Sequence, residues 1–214
     1  MSRTVTIIQT GVANTASLIA AFSRLGLESR VTGDPTEISE AELLVLPGVG
    51  AFGAGVETFD AQGIRETLVQ RVGSDRPLLA VCLGMQMLAE SSEEASGVKG
   101  LSVIPGSVRR FPTEVIVPQM GWNEVEAPSG ARFLESGCVY FANSYRLTEH
   151  PDGWRVATSN YAGPFIAAME RGATLACQFH PELSGQCGLG LLARWAGVEP
   201  TQSASTINRG ASSC

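Results

Sequence analysis

A chain of 214 residues, 44% apolar and 17% charged, is long enough for one domain with a substantial core. Its net charge is −6, and its basic residues are scattered apart from Arg109-Arg110, which argues against a nucleic-acid-binding stripe. No apolar run approaches the roughly 18 residues that span a bilayer, and the opening Met1-Ser2-Arg3-Thr4-Val5 lacks the layout of a signal peptide, so the default expectation is a cytoplasmic protein without a membrane contact.

In chain order, Val5 to Ile8 is a short β-branched run. Asn14 to Leu25 carries Leu18, Ile19, Phe22 and Leu25 at helical spacing and stops at Gly26. Leu43 to Leu46 is a continuous apolar strand ending at Pro47-Gly48, Phe59 to Val72 predicts a helix, and Leu78 to Val81 a further strand. A helix is expected from about Leu83 to Glu90. Continuous apolar strands alternating with helices imply a mostly parallel sheet covered on both faces. The second half changes character. Val115 to Val117, Trp122 to Val125, Val139 to Phe141, Trp154 to Thr158, Phe165 to Met169 and Thr174 to Phe179 read as short strands separated by Gly, Pro and Asn, as in antiparallel structure. A last helix is predicted over about Gln186 to Trp195. The expected organisation is one domain over 1–198, with 199–214 a disordered tail rich in Ser, Thr and Gly.

There are five cysteines with no C-x-x-C pair and only two histidines, His150 and His180, which argues against a zinc site; no cofactor or metal is called for. Cys177 and Cys187 are expected to be core residues. Cys82 has a different context, because a strand runs into it and a helix is predicted to start just after it. Ala80 stands two residues before and Gly84 two after. Small residues at these places are the steric requirement of a nucleophile elbow, here with Cys in place of Ser. A helix N-terminus favours the thiolate, and the N–H of Leu83 is placed to donate to an oxyanion.

Near the other end lies Gln178-Phe179-His180-Pro181-Glu182. His180 closes a strand, and residues two apart in extended backbone share a side, so Glu182 is expected to hold one imidazole nitrogen while the other faces Cys82. Between these segments, Pro47-Gly48-Val49-Gly50-Ala51-Phe52-Gly53 follows a strand directly. Its glycines allow close backbone approach to a ligand, and no Lys-Ser/Thr follows as in a phosphate-binding loop.

The combination C-L-G-M-Q at 82–86, F-H-P-E at 179–182 and the Gly-rich loop at 47–53 resembles the class I (triad) glutamine amidotransferases. More narrowly, L-P-G-V-G-A-F-G at 46–53, P-x-M-G-W-N at 118–123, Y-F-x-x-S-Y at 140–145 and H-P-E-x-S-G-x-x-G-L at 180–189 are similar to glutaminase subunits of imidazole glycerol phosphate synthase. The resemblance implies a flavodoxin-like α/β fold with an antiparallel β extension. It implies glutamine as substrate, a Cys82–His180–Glu182 triad, and oxyanion donors at Val49 and Leu83. It places Gly48, Gly50, Gln86, Glu94, Asn143, Ser144 and Tyr145 around glutamine. A (βα)8-barrel cyclase is the implied partner in a heterodimer, with Met120, Gly121 and Trp122 toward it, and it would use the ammonia to make imidazole glycerol phosphate and AICAR in histidine biosynthesis.

The chain departs from the family pattern at Gln9, Thr10 and Ala13, at Gln119 where His is usual, at Asn143 where His often stands, and at Leu183 where a basic residue often stands. These positions bear on docking and activation and leave the triad intact. A triad amidotransferase serving another synthase, or a regulatory subunit with a relic site, are the alternative readings.

Overall fold

The computed structural model describes residues 3–10 and 14–199. The departure at Ala13 and all but the first residue of the expected tail lie outside the described residues.

The first half runs β1 (Thr4–Ile8), α1 (Thr15–Arg24), β2 (Glu28–Thr32), α2 (Pro35–Glu40), β3 (Leu43–Leu46), α3 (Phe52–Gln62), α4 (Arg65–Gly73), β4 (Leu78–Val81) and α5 (Leu83–Met87). The second half runs β5 (Ala89–Ser92), β6 (Ile104–Arg110), β7 (Gln119–Val125), β8 (Gly137–Asn143), β9 (Tyr145–Arg146), β10 (Arg155–Asn160), β11 (Pro164–Arg171), β12 (Thr174–Cys177) and α6 (Gly185–Ala196), with a 3-10 turn at Pro181–Leu183 before the last helix.

The main sheet has seven strands in the order β10-β11-β12-β4-β3-β1-β2. The five from β12 to β2 are parallel, and β11 and β10 extend them antiparallel at one edge. The expected α/β fold with a mostly parallel sheet and an antiparallel extension is therefore present. Leu43, Val45, Leu79 and Val81 point into one apolar core with Phe22 and Trp195, and Leu44, Leu46, Leu78 and Ala80 into a second with Phe52 and Phe59. Strand alternation thus divides one sheet between two cores, which is why these strands are apolar throughout.

Three local expectations are corrected. The helix expected over Phe59 to Val72 is two helices, because Gly63 takes a left-handed conformation (φ 65°) and ends α3. The helix expected to reach Glu90 stops at Met87. The carbonyls of Met87, Leu88, Ala89 and Glu90 accept instead from the segment 100–104, which draws the chain into β5. Val115 to Val117 is not a strand: it lies between Pro112 and Pro118 without a ladder partner, and Ile116 is 83% exposed. Weak apolar patterning hid β2, α2, β5, β6 and β9, although Asp34 caps α2 through the N–H groups of Thr36 and Glu37 with Pro35 behind it.

Candidate active site

The site forms at the carboxyl ends of β3, β4 and β12, where parallel sheets leave a crevice open to ligands. Cys82 follows β4 with φ 52° and ψ −112°, a conformation rare for a residue with a side chain. Its N–H still continues the ladder to the Cys177 carbonyl at 2.7 Å, so the strand is held up to the residue that bends. The bend brings α5 down on β3. A Cβ on Gly84 would lie 2.2 Å from the Leu46 carbonyl oxygen, and one on Gly48 would lie 2.5 Å from the Gly84 nitrogen. These contacts, with backbone that cannot yield, are the physical reason for glycine at both places. Helix α5 has only five residues, so the field at Cys82 comes from its first-turn N–H groups rather than from a long macrodipole.

His180 is fastened on both sides by backbone: its N–H donates to the Tyr140 carbonyl at 2.9 Å, and its carbonyl accepts from Ser184 Oγ at 2.6 Å. Its Nδ1 is 2.9 Å from Glu182 Oε1, and the two side chains are 9% and 3% exposed. The extended-backbone argument for Glu182 is corrected here. The residue sits in the 3-10 turn, and that turn, not strand alternation, swings its carboxylate back to the imidazole. Burial acts to lower the His180 pKa, but hydrogen bonds to Cys82 and Glu182, with the Coulombic pull of both, outweigh it and push the value up to about 10. The arrangement favours an imidazolium beside the sulfur.

The Leu83 N–H does not face the cavity freely; it donates to the Gly48 carbonyl at 3.3 Å. In a planar trans peptide the N–H points opposite to the carbonyl, so the Val49 N–H is turned away from Leu83. Gly50 next to it has φ 98°, open space where a Cβ would stand, and no side chain to hinder a rotation.

A cavity of about 330 Å³ opens over the sulfur. Val49, Gly50, Cys82, Leu83, Gln86, Glu94, Asn143, Ser144, Tyr145 and His180 line it, together with Pro118 and Ala142, which sequence reasoning did not single out. Gly48 lies underneath, against the elbow, and Glu182 lies behind His180. Glu94 is tied in place by the Phe52 N–H at 2.7 Å, while Gln86 Nε2 donates to the Tyr145 carbonyl at 3.2 Å and to Gln178 Oε1 at 2.9 Å. Met120 and Trp122 stand outside the cavity on β7, 68% and 53% exposed, with Gly121 between them. Gln178 was also missed. The chain leaves β12 at Cys177 and bends through Gln178 and Phe179, so no strand alternation in the sequence pointed to it.

The family model for "Glutamine amidotransferase class-I" matches residues 6–190. The chain belongs to this family. Among relatives of this amidotransferase, the imidazole glycerol phosphate synthase subunit HisH of Streptococcus gordonii is 40% identical over 187 residues, covering 85% of this chain and 90% of that one. The protein of the same name from Methanothermobacter thermautotrophicus is 40% identical over 191 residues, covering 88% and 95%. The Arabidopsis thaliana protein named imidazole glycerol phosphate synthase hisHF, chloroplastic, is 39% identical over 198 residues, which is 89% of this chain but 33% of that longer one. A solved glutamine amidotransferase superposes with a TM-score of 0.71 at 21% identity, over 91% of this chain and 99% of that one, a likeness in fold.

Two departures of this amidotransferase from the family pattern prove to be neighbours: Gln119 and Asn143 are cross-strand partners in β7 and β8, both buried. Leu183 is 40% exposed just after the triad. Cys177 is buried as expected, whereas Cys187, near the start of α6, is exposed. Among the described residues no helix is long and apolar enough to cross a membrane.

Proposed function

We propose that this chain is the glutaminase subunit of an imidazole glycerol phosphate synthase, hydrolysing glutamine to glutamate and passing the ammonia to a (βα)8-barrel cyclase subunit in histidine biosynthesis. The observation that carries the reading is the convergence of Cys82, His180 and Glu182 beneath a glutamine-sized cavity. The HisH relatives, alike over nearly their whole length, support the pathway. The longer Arabidopsis protein supports a partner that can also be joined in one chain.

In the proposed reaction the Cys82 thiolate attacks the side-chain amide carbon of glutamine, forming the C–S bond and a tetrahedral oxyanion. The imidazolium of His180 gives its proton to the nitrogen as the C–N bond breaks, releasing ammonia and leaving a thioester. His180 then takes a proton from water, whose oxygen attacks the thioester, and the C–S bond breaks to give glutamate and the thiolate. Glu182 fixes the imidazole and supports its charge. The Glu94 carboxylate suits the substrate ammonium, and Gln86 with the Asn143–Tyr145 backbone suits its polar end. Before the first step the Gly48–Val49 peptide must turn over, withdrawing its carbonyl from Leu83 and presenting the Val49 N–H. One missing oxyanion donor costs roughly 10²–10³ in rate, so a closed loop keeps the lone subunit slow until a partner docks on the Met120–Trp122 face.

The test is glutamine hydrolysis by the purified chain, alone and with the cyclase subunit from the same organism plus that subunit's nucleotide ligand. Stimulation of about 10²-fold or more is expected, with none in Cys82→Ala. Hydrolysis without stimulation would move the chain to another acceptor, and silence in both conditions would sink the glutaminase reading.

A further inference from the structure

Behind Cys82 lies Gln178, a side chain with no exposed surface. Its Oε1 accepts from Gln86 Nε2 at 2.9 Å and its Nε2 stands 3.7 Å from Cys82 Sγ. The chemistry fixes which end of each amide faces which neighbour. The Tyr145 carbonyl can only accept, so the Gln86 end beside it is the NH₂ group, at 3.2 Å. The same NH₂ group faces Gln178, so the end of Gln178 turned to it is the oxygen. The end turned to the sulfur is therefore a donor. Turning either amide over would set two oxygens or two NH₂ groups against each other in a buried place, where an unmade hydrogen bond is costly.

We propose that Gln178 is a further catalytic residue, whose amide N–H donates to the Cys82 sulfur and supports its negative charge alongside His180. The proposal rests on the glutaminase reading for the reaction it serves. A hydrogen bond to a charged acceptor is roughly twice as strong as one to a neutral acceptor. The contact therefore strengthens whenever the sulfur carries charge, which is before attack on the amide and again as the C–S bond of the thioester breaks. It weakens in the thioester, where the sulfur is neutral. Because Gln86 lines the substrate cavity and holds the other end of Gln178, the residue that meets the substrate and the one that steadies the nucleophile share one rigid relay. Gln178 follows β12 directly and His180 comes two residues later, so one short segment delivers both donors to the same atom.

The test follows the alkylation of Cys82 by iodoacetamide as a function of pH, read on the Cys82 peptide by mass spectrometry because Cys187 is also exposed. In Gln178→Met the pH of half-maximal alkylation rate moves up by roughly one unit, about a tenfold change in the equilibrium between the two protonation states. The kcat for glutamine in the complex falls about tenfold, with KM changed less than about twofold. An unchanged alkylation profile with a raised KM would mean that Gln178 only positions Gln86, and would overturn the proposal. If Gln178→Met does not fold, Gln178→Glu keeps an acceptor for Gln86 while facing the sulfur with a carboxylate oxygen; it moves the profile upward too, and an unmoved profile in that variant overturns the proposal. Alkylation needs no glutamine, so a shifted profile in a chain that never hydrolyses glutamine would defeat the glutaminase reading and leave the donation standing.

Discussion

At the scale of single residues, the site depends on atoms that are absent as much as on those present. A methyl group on Gly84 would meet the backbone oxygen of Leu46, which the sheet holds in place. Gly84→Ala is therefore expected to cost about 1–3 kcal/mol of stability, measured by urea denaturation, and to move Cys82 out of line with His180. The charge on His180 gives a second prediction. Its pKa is raised from 6.5 to about 10, so the stabilisation from its paired imidazolium is complete below 6.5 and is lost as pH climbs toward 10. Glu182→Gln removes one source of that rise. The alkaline limb of kcat/KM should then move to lower pH by about one unit or more. Thermal midpoints of wild type and variant should be furthest apart in acid and should converge in alkali; parallel curves across this range would contradict the assignment of the charge to His180.

At the scale of elements, the β7–β8 hairpin joins the exposed face to the chemistry. Trp122 packs edge-on against Tyr140 with ring centroids 6.2 Å apart, the Tyr140 carbonyl holds the His180 N–H, and the Tyr140 N–H donates to Ser184 Oγ. A partner docked on Met120 and Trp122, as proposed above, would act on the strand that frames His180. A large exposed aromatic in such a place is a natural hot spot. Trp122→Ala is expected to raise the Kd for the cyclase subunit by roughly 30-fold, measured by calorimetry, and to reduce stimulation of glutamine hydrolysis in proportion to the complex lost. Full affinity in that variant would move the docking face elsewhere.

At the scale of the whole molecule, one sheet serves two cores. Because neighbouring residues of β3 and β4 face opposite sides, neither core can dissolve without unpairing strands that the other needs. Unfolding should therefore be a single transition, with near-UV and far-UV circular dichroism coincident. Phe22→Ala on one face and Phe59→Ala on the other should each shift that same transition, by about 3–5 kcal/mol. Separate transitions would show that the faces are independent.

The sequence by itself determined the parallel core, because strands buried on both faces must be apolar throughout, and β3 and β4 could be read to the residue. It marked Cys82, since an elbow needs small neighbours, and it marked the His180–Glu182 pair by spacing. Tertiary structure alone decided the rest. Helix α5 ends early because the segment 100–104 claims its carbonyls, a contact no local pattern announces. Glu182 reaches the imidazole through a 3-10 turn rather than along a strand, since Pro181 starts a turn there. The Leu83 N–H is occupied by Gly48, and Gln178 reaches the sulfur, because both depend on how β3, β4 and β12 lie side by side. Periodicity reports which side of an element a residue faces; only packing reports what it meets there.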